Sequence, residues 1–235
     1  MYKKKILVTG GDGRFSKNLK KYNKKLNLFY ASKKECNILN LLSLKKIIKK
    51  VKPDIILHCA GLSRPMFLHE KEITKSIDLN IIGTANVTKV CFINNIKLIY
   101  FSTGYVYEGK KGNYSEKDSV KPFNNYGLSK LGGECAVQMY KNSLILRITM
   151  TEKPFLHNKA YINLISNFMY HEDLINMLPK LINKFGILNV GKKSQSIYSF
   201  AKKDNPNLKK IIANKKSNTP LKQTMNLNKL KKILL

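Results

Sequence analysis

Tyr126 and Lys130 lie four residues apart in a segment, Tyr126 to Tyr140, whose pattern reads as a helix, so phenol and ammonium fall on one face. Upstream, the apolar run Leu98-Ile99-Tyr100-Phe101 stops at Ser102-Thr103-Gly104, which reads as a buried strand carrying hydroxyls at its C-terminal end. A phenol alone titrates near ~10 and gives up its proton reluctantly at neutral pH; a cation held beside it favours the phenolate. The Thr103 hydroxyl can orient a carbonyl oxygen. Together Thr103, Tyr126 and Lys130 are the parts of a proton donor for carbonyl reduction.

Such a set needs strands that end in one place, and the chain supplies them in order. Lys5-Ile6-Leu7-Val8 is a short apolar strand that turns through Gly10, Gly11 and Gly13 into a helix beginning near Arg14 and Phe15. Glycine permits the tight turn, and the helix N-terminus offers free N–H groups to a pyrophosphate. Leu26 to Ala31 reads as the second strand, and its end, Ser32-Lys33-Lys34, is where a ribose-recognising residue sits. Pro53 to Gly61 is the next buried strand; its end, Cys59-Ala60-Gly61, passes close to a bound dinucleotide because α/β sheets bind ligands at strand C-termini. His58 reads as a satisfied core residue, whereas Arg64 either meets a phosphate or holds its loop. A helical pattern runs from Ile73 to Asn94 and contains Asn80; an amphipathic helix covers Leu44 to Val51, and Ser143 to Ile148 is a further strand.

These residues carry a specific resemblance. Ser102-Thr103 at a strand end followed by Tyr126-x-x-x-Lys130 resembles the catalytic core of the extended short-chain dehydrogenase/reductases. Within that superfamily, Ser102 to Gly109 resembles the Ser-Thr-Asp-Tyr-Val-Phe-Asp-Gly signature of the dTDP-4-dehydrorhamnose reductases, with Gly104 in place of the Asp. The glycine turn is similar to the family's Thr-Gly-x-x-Gly-x-x-Gly fingerprint, with Ser16 in place of the third glycine. The resemblance implies an α/β fold, a Rossmann-type doubly wound parallel sheet, with residues 1–149 as an NAD(P)-binding domain. Residues 150–235 are then a small substrate-binding lobe interleaved with the last sheet elements. It implies cofactor contacts from Gly10, Gly13, Arg14, Phe15, Ser32, Lys33, Cys59, Ala60, Gly61, Ser102, Tyr126 and Lys130. Substrate contacts come from Arg64, Thr103, Gly104 and Tyr105, and no metal is implied. The activity implied is reduction of a nucleotide-linked 4-keto-6-deoxysugar, in sugar-nucleotide and surface polysaccharide biosynthesis.

The cofactor expected is NADPH, with NADH as the alternative, because the end of the second strand offers no carboxylate before Glu35 while Ser32 and Lys33, with Arg14 on the same side, suit a 2′-phosphate. Past Met150 the matches thin, and the stretch from Thr151 to Met169 is shorter than in relatives, which leaves the sugar open. His171-Glu172-Asp173-Leu174 resembles a helix start, Phe185 to Gly191 a strand, Ser196 to Lys202 a helix, and Pro220 to Leu230 the family's terminal segment. Two other readings share these residues. An epimerase or dehydratase of nucleotide sugars uses the same Tyr and Lys, although a dehydratase places Asp-Glu where this chain has Gly104-Tyr105. A reductase-like regulatory subunit needs no turnover at all.

Composition narrows the rest. The formal charge of +30 comes from 44 Lys+Arg against 14 Asp+Glu, with Arg14, Arg64 and Arg147 as the arginines. Specific nucleic-acid recognition favours the guanidinium fork, so a Lys-rich, Arg-poor chain reads as a solvated basic surface that still favours anionic ligands. Cys36, Cys59, Cys91 and Cys135 lack metal-ligand spacing and fit a reducing compartment; no apolar run approaches a bilayer span, and the N-terminal residues from Met1 pass directly into a strand pattern. The expectation is a cytoplasmic enzyme, compatible with a homodimer. The polar Lys/Asn tail from Lys202 to Asn218 is too short for a disordered domain.

Overall fold

The computed structural model describes residues 4–214 and 219–235, so the start of the N-terminal strand pattern and the end of the Lys/Asn tail lie outside the described residues. β1 (Lys5–Thr9), α1 (Arg14–Tyr22), β2 (Asn27–Ala31), α2 (Leu41–Val51) and β3 (Ile55–His58) alternate as the apolar runs require. The expected long helix is divided: α3 (Leu68–Lys71) precedes α4 (Ile73–Ser76), a π-helical turn (Ile77–Ile82) and α5 (Gly83–Ile93). β4 (Lys97–Thr103), α6 (Asn125–Gln138) and β5 (Ser143–Ile148) complete the half that carries the Tyr and Lys. The remaining chain is cut into short pieces: β6 (Met150–Thr151), β7 (Lys159–Tyr161), β8 (Ile165–Ser166), β9 (Met169–Tyr170), α7 (His171–Leu181), β10 (Gly186–Val190), β11 (Gln195–Ser196), α8 (Ile197–Ala201), β12 (Lys209–Ile211), β13 (Lys222–Gln223) and α9 (Asn228–Leu234).

The main sheet has the order β10-β5-β4-β3-β1-β2, and every pairing in it is parallel. Strand residues alternate between its two faces. Ile6, Val8, Ile55, Leu57, Ile99, Leu144 and Leu146 pack with Leu19 of α1, Leu174 and Leu178 of α7 and Leu230 of α9. Leu7, Ile56, Leu98, Tyr100 and Ile145 pack instead with Leu44 and Ile47 of α2, Val87 and Val90 of α5 and Val137 of α6. Burial of both faces is why these strands are continuous apolar runs, each large side chain contributing about 1.5–3 kcal/mol. This is the Rossmann-like doubly wound arrangement that the sequence implies, and α7, β10 and α9 belong to it. A separate cluster of Phe155, Ala160, Leu164, Phe168, Tyr170, Phe200 and Leu208 forms the core of the small lobe. The strand order reverses between β1 and β3, and a crevice opens outside their C-terminal ends at that point.

Candidate active site

That crevice is a cavity of about 830 Å³ between the sheet and the lobe. Its floor begins at the glycine turn. Gly10 adopts φ +67°, and a Cβ there would come within 2.9 Å of the Ala60 backbone, so the turn and the end of β3 approach as only glycine allows. Gly13 stands before α1 with no side-chain cap and no acidic residue in the first turn among the described residues. The first N–H groups of α1 therefore face the crevice unmatched, a favourable place for an anion. Ser16, standing where the third glycine was expected, is fully buried and donates its hydroxyl to the Gly10 carbonyl at 2.8 Å. The substitution keeps helix and turn together by a hydrogen bond.

α6 is started by Asn124, whose side chain accepts from the Gly127 N–H at 2.9 Å, and this fixes the rotation that turns Tyr126 and Lys130 toward the end of β4. Thr103, Tyr105, Tyr126 and Lys130 all line the crevice, as do Gly10, Gly13, Arg14, Phe15, Cys59, Ala60, Gly61, Arg64 and Ser102. Burial raises the Tyr126 phenol above its ordinary value, opposed by the Thr103 hydroxyl and by the charges of Arg64 and Arg14. Lys130, the cation expected to depress it, lies 4.2 Å from the centre of the Tyr100 ring. Burial brings Lys130 itself down to about 7, against the raising influence of Glu134 and Cys59. Tyr126 is thus loaded with its proton at neutral pH, while Lys130 stands near half protonation. Tyr105, its ring 5.8 Å from that of Tyr126, is raised to about 12, chiefly by burial.

Three of the expected residues lie elsewhere. Gly104 is not on the crevice lining; a Cβ there would come within 3.0 Å of the Thr149 hydroxyl and close to the Met225 sulfur, so the side chain found in the family signature would have to displace these neighbours. Ser32 and Lys33 line an adjoining recess of about 630 Å³ with Asp12, Lys34, Asn37, Asn40 and Ser43. There Glu35 turns back on its own loop, its carboxylate accepting from the Ser32 N–H at 2.9 Å and hydroxyl at 2.8 Å. Arg14, expected beside Lys33, points the other way. It pairs with Glu152 at 3.3 Å and donates to the Ser63 hydroxyl at 3.3 Å. Arg64 also reaches Glu152, at 3.1 Å, and donates to the Thr151 hydroxyl at 3.3 Å.

His58 is held between the hydroxyls of Thr9 (2.8 Å) and Thr84 (3.2 Å), and burial lowers it to about 3, which makes it a neutral core residue. Asn80 is buried on the π-helical turn, accepts from the Leu62 N–H at 2.8 Å, and donates to the Leu62 carbonyl and the Ser129 hydroxyl, each at 2.9 Å. Glu152, Asp12, His171 and the lobe residues Phe155, His157 and Tyr161 also line the crevice or its recess and escaped the sequence reading. Glu152 had one signal: it is an acidic residue four positions past the end of the strand bearing Arg147, in a chain with 14 acids against 44 basic residues.

Comparison with known proteins gives the same frame. A methionine adenosyltransferase 2 subunit beta from Xenopus laevis is 36% identical over 116 residues, 48% of this chain and 34% of that protein. A dTDP-4-keto-6-deoxy-D-glucose reductase from Streptomyces niveus is 31% identical over 136 residues, 56% of this chain and 46% of that protein. These matches thus span less than half the length of either relative. Over nearly the full chain, the structure is similar to a dTDP-4-dehydrorhamnose reductase from Bacillus anthracis in complex with NADP, with TM-score 0.86 and 25% identity, covering 98% of this chain and 92% of that one. The sequence model of the RmlD substrate binding domain matches residues 4–162, the stretch that holds the glycine turn, Thr103, Tyr126 and Lys130, and the chain belongs to that family.

Proposed function

We propose that this chain reduces the keto group of a nucleotide-linked 4-keto-6-deoxysugar with NADPH. The observation that carries the reading is the convergence of Thr103, Tyr126 and Lys130 on one crevice wall, beside the uncapped N-terminus of α1. The residues present suit a dinucleotide: the glycine turn leaves room where a Cβ would collide, and unmatched N–H groups face the crevice. When bound, the reduced nicotinamide supplies a hydride to the carbonyl carbon. Thr103 holds the carbonyl oxygen by its hydroxyl, and Tyr126 gives that oxygen its phenolic proton. The charges of Arg64 and Arg14 favour the phenolate left behind, and the ammonium form of Lys130, one helical turn along α6, adds to them. The recess at the end of β2 supports a 2′-phosphate, since Glu35 is engaged with Ser32 and the lining carries Lys33 and Lys34 against Asp12. The test is a panel of nucleotide 4-keto-6-deoxysugars, read by loss of reduced-nicotinamide absorbance. Turnover of at least one supports the reading; binding of the dinucleotide with turnover of none overturns it.

That second outcome is what a reductase-like subunit of another enzyme would give. The observation favouring this alternative is the 36% identity to a beta subunit of methionine adenosyltransferase 2. The presence of Thr103, Tyr126 and Lys130 together in the crevice favours the reductase.

A further inference from the structure

Glu134 lies one helical turn beyond Lys130 on the same face of α6 and is completely buried. Its carboxylate accepts from the Ser102 hydroxyl at 2.7 Å, at the residue before Thr103, and from Arg147 Nε at 3.0 Å, with Arg147 Nη2 also bound to it. Arg147 in turn donates to the Tyr107 hydroxyl at 2.8 Å, and Tyr107 donates to Asn189 of β10 at 2.8 Å. A buried ion pair of this kind does not by itself argue for stability, since apolar replacements of equal volume are often as stable. Its position argues for something else. It joins β4, α6, β5 and β10 at the point where the hydroxyl and the ammonium of the site must meet.

We propose that Glu134 is a positioning residue: it fixes the end of β4 against α6 through Ser102, and its buried carboxylate, one helical turn along the same face, favours the ammonium form of Lys130. This rests on the reading of Tyr126 and Lys130 as an acid and its cation. The groups facing Lys130 from every side are consistent with a dominant role for Glu134. His58, at the end of β3, is neutral, and Cys59 beside it is held protonated by burial. From β4 the Tyr100 phenol, also held neutral by burial, offers only its ring face. From α6 itself Tyr126 is protonated, and the π-helical turn and α5 present the uncharged Asn80 and Thr84. His69, packed against Tyr126, is likewise depressed by burial. Glu134 is the carboxylate that raises Lys130 against its burial.

The experiment reads Lys130 directly rather than through turnover. Lys130 lines the crevice, so the rate of its acetylation by acetic anhydride can be followed against pH by peptide mass spectrometry on the whole protein. The unmodified protein should show an inflection near pH 7, where burial and Glu134 together leave the amine. Glu134→Gln should move the inflection to lower pH by about one unit, a tenfold weaker hold on the proton. Glu134→Asp, which keeps the charge, should restore most of it. If Glu134→Gln does not unfold cooperatively, Glu134→Gln/Arg147→Met, which leaves no orphaned charge, is compared with Arg147→Met alone, so that the loss of the carboxylate is read with the arginine charge absent from both. An inflection unchanged in the folded variant overturns the proposal. A shifted inflection in a protein that turns over no keto sugar supports it and overturns the reductase reading instead.

Discussion

Tyr126 is held protonated by burial and bordered by Thr103, Arg64 and Arg14, so its value to the reaction is a proton ready to leave toward a forming alkoxide. Tyr126→Phe should therefore lower turnover roughly 10²-fold or more while leaving dinucleotide affinity within about twofold, measured by initial rates and by fluorescence titration. Wild-type rates in that variant, with chemistry limiting, would remove Tyr126 from the mechanism. Two histidines make a separate statement about acid. Burial lowers His58 to about 3 and His171 to about 4, so below pH 6.5 the unfolded chain takes up protons that the folded chain refuses. Stability is full above pH 6.5 and falls as pH drops, by about 1.4 kcal/mol per pH unit per histidine, until the folded values are reached. Urea midpoints between pH 7 and 5 should show that slope. His171→Phe should reduce it, since His171 packs edge-on against Phe15 at 5.3 Å and a phenyl ring can keep that contact.

The π-helical turn Ile77–Ile82 is the element that sequence patterning hides. The stretch from Ile73 to Asn94 has apolar spacing that reads as one helix, and widening a single turn barely disturbs that spacing. Asn80 acquires its meaning only through space, from Leu62 and Ser129, which lie far from it in sequence. Asn80→Ala leaves the Leu62 N–H and carbonyl without those partners and should cost about 2–4 kcal/mol, read as a lower denaturant midpoint at constant slope. Elements of the main sheet were legible because their strands are buried on both faces: Lys97–Thr103 holds the apolar run from Leu98 to Phe101, and Ser143–Ile148 the run from Leu144 to Leu146. The candidate site was legible where chemistry is local, as in Tyr126 and Lys130. It was illegible where two-residue strands such as Met150–Thr151 and Ile165–Ser166 are too short for any period to show. Among such short pieces, and in the loops between them, lie Glu152, Phe155 and Tyr161, which line the crevice.

At the scale of the whole molecule, +30 charges on 235 residues repel one another more in the folded state than in the expanded chain. Added salt should therefore stabilise the protein: Tm should rise between about 20 and 300 mM sodium chloride, as the screening length falls below ~10 Å. A flat or falling Tm over that range would show that the lysines are spaced widely enough not to interact. Within this positive field Glu152 has an unusual place. It is the carboxylate to which Arg14 of the first helix and Arg64 of the β3 loop both turn, and it belongs to the lobe. An arriving phosphate that binds either guanidinium must compete with an anion already in the molecule, and winning that competition loosens a tie between lobe and sheet. Charge selection and opening of the crevice thereby become one event. Glu152→Gln should bind inorganic pyrophosphate several-fold more tightly and expose the amide groups of residues 150–161 to faster hydrogen exchange.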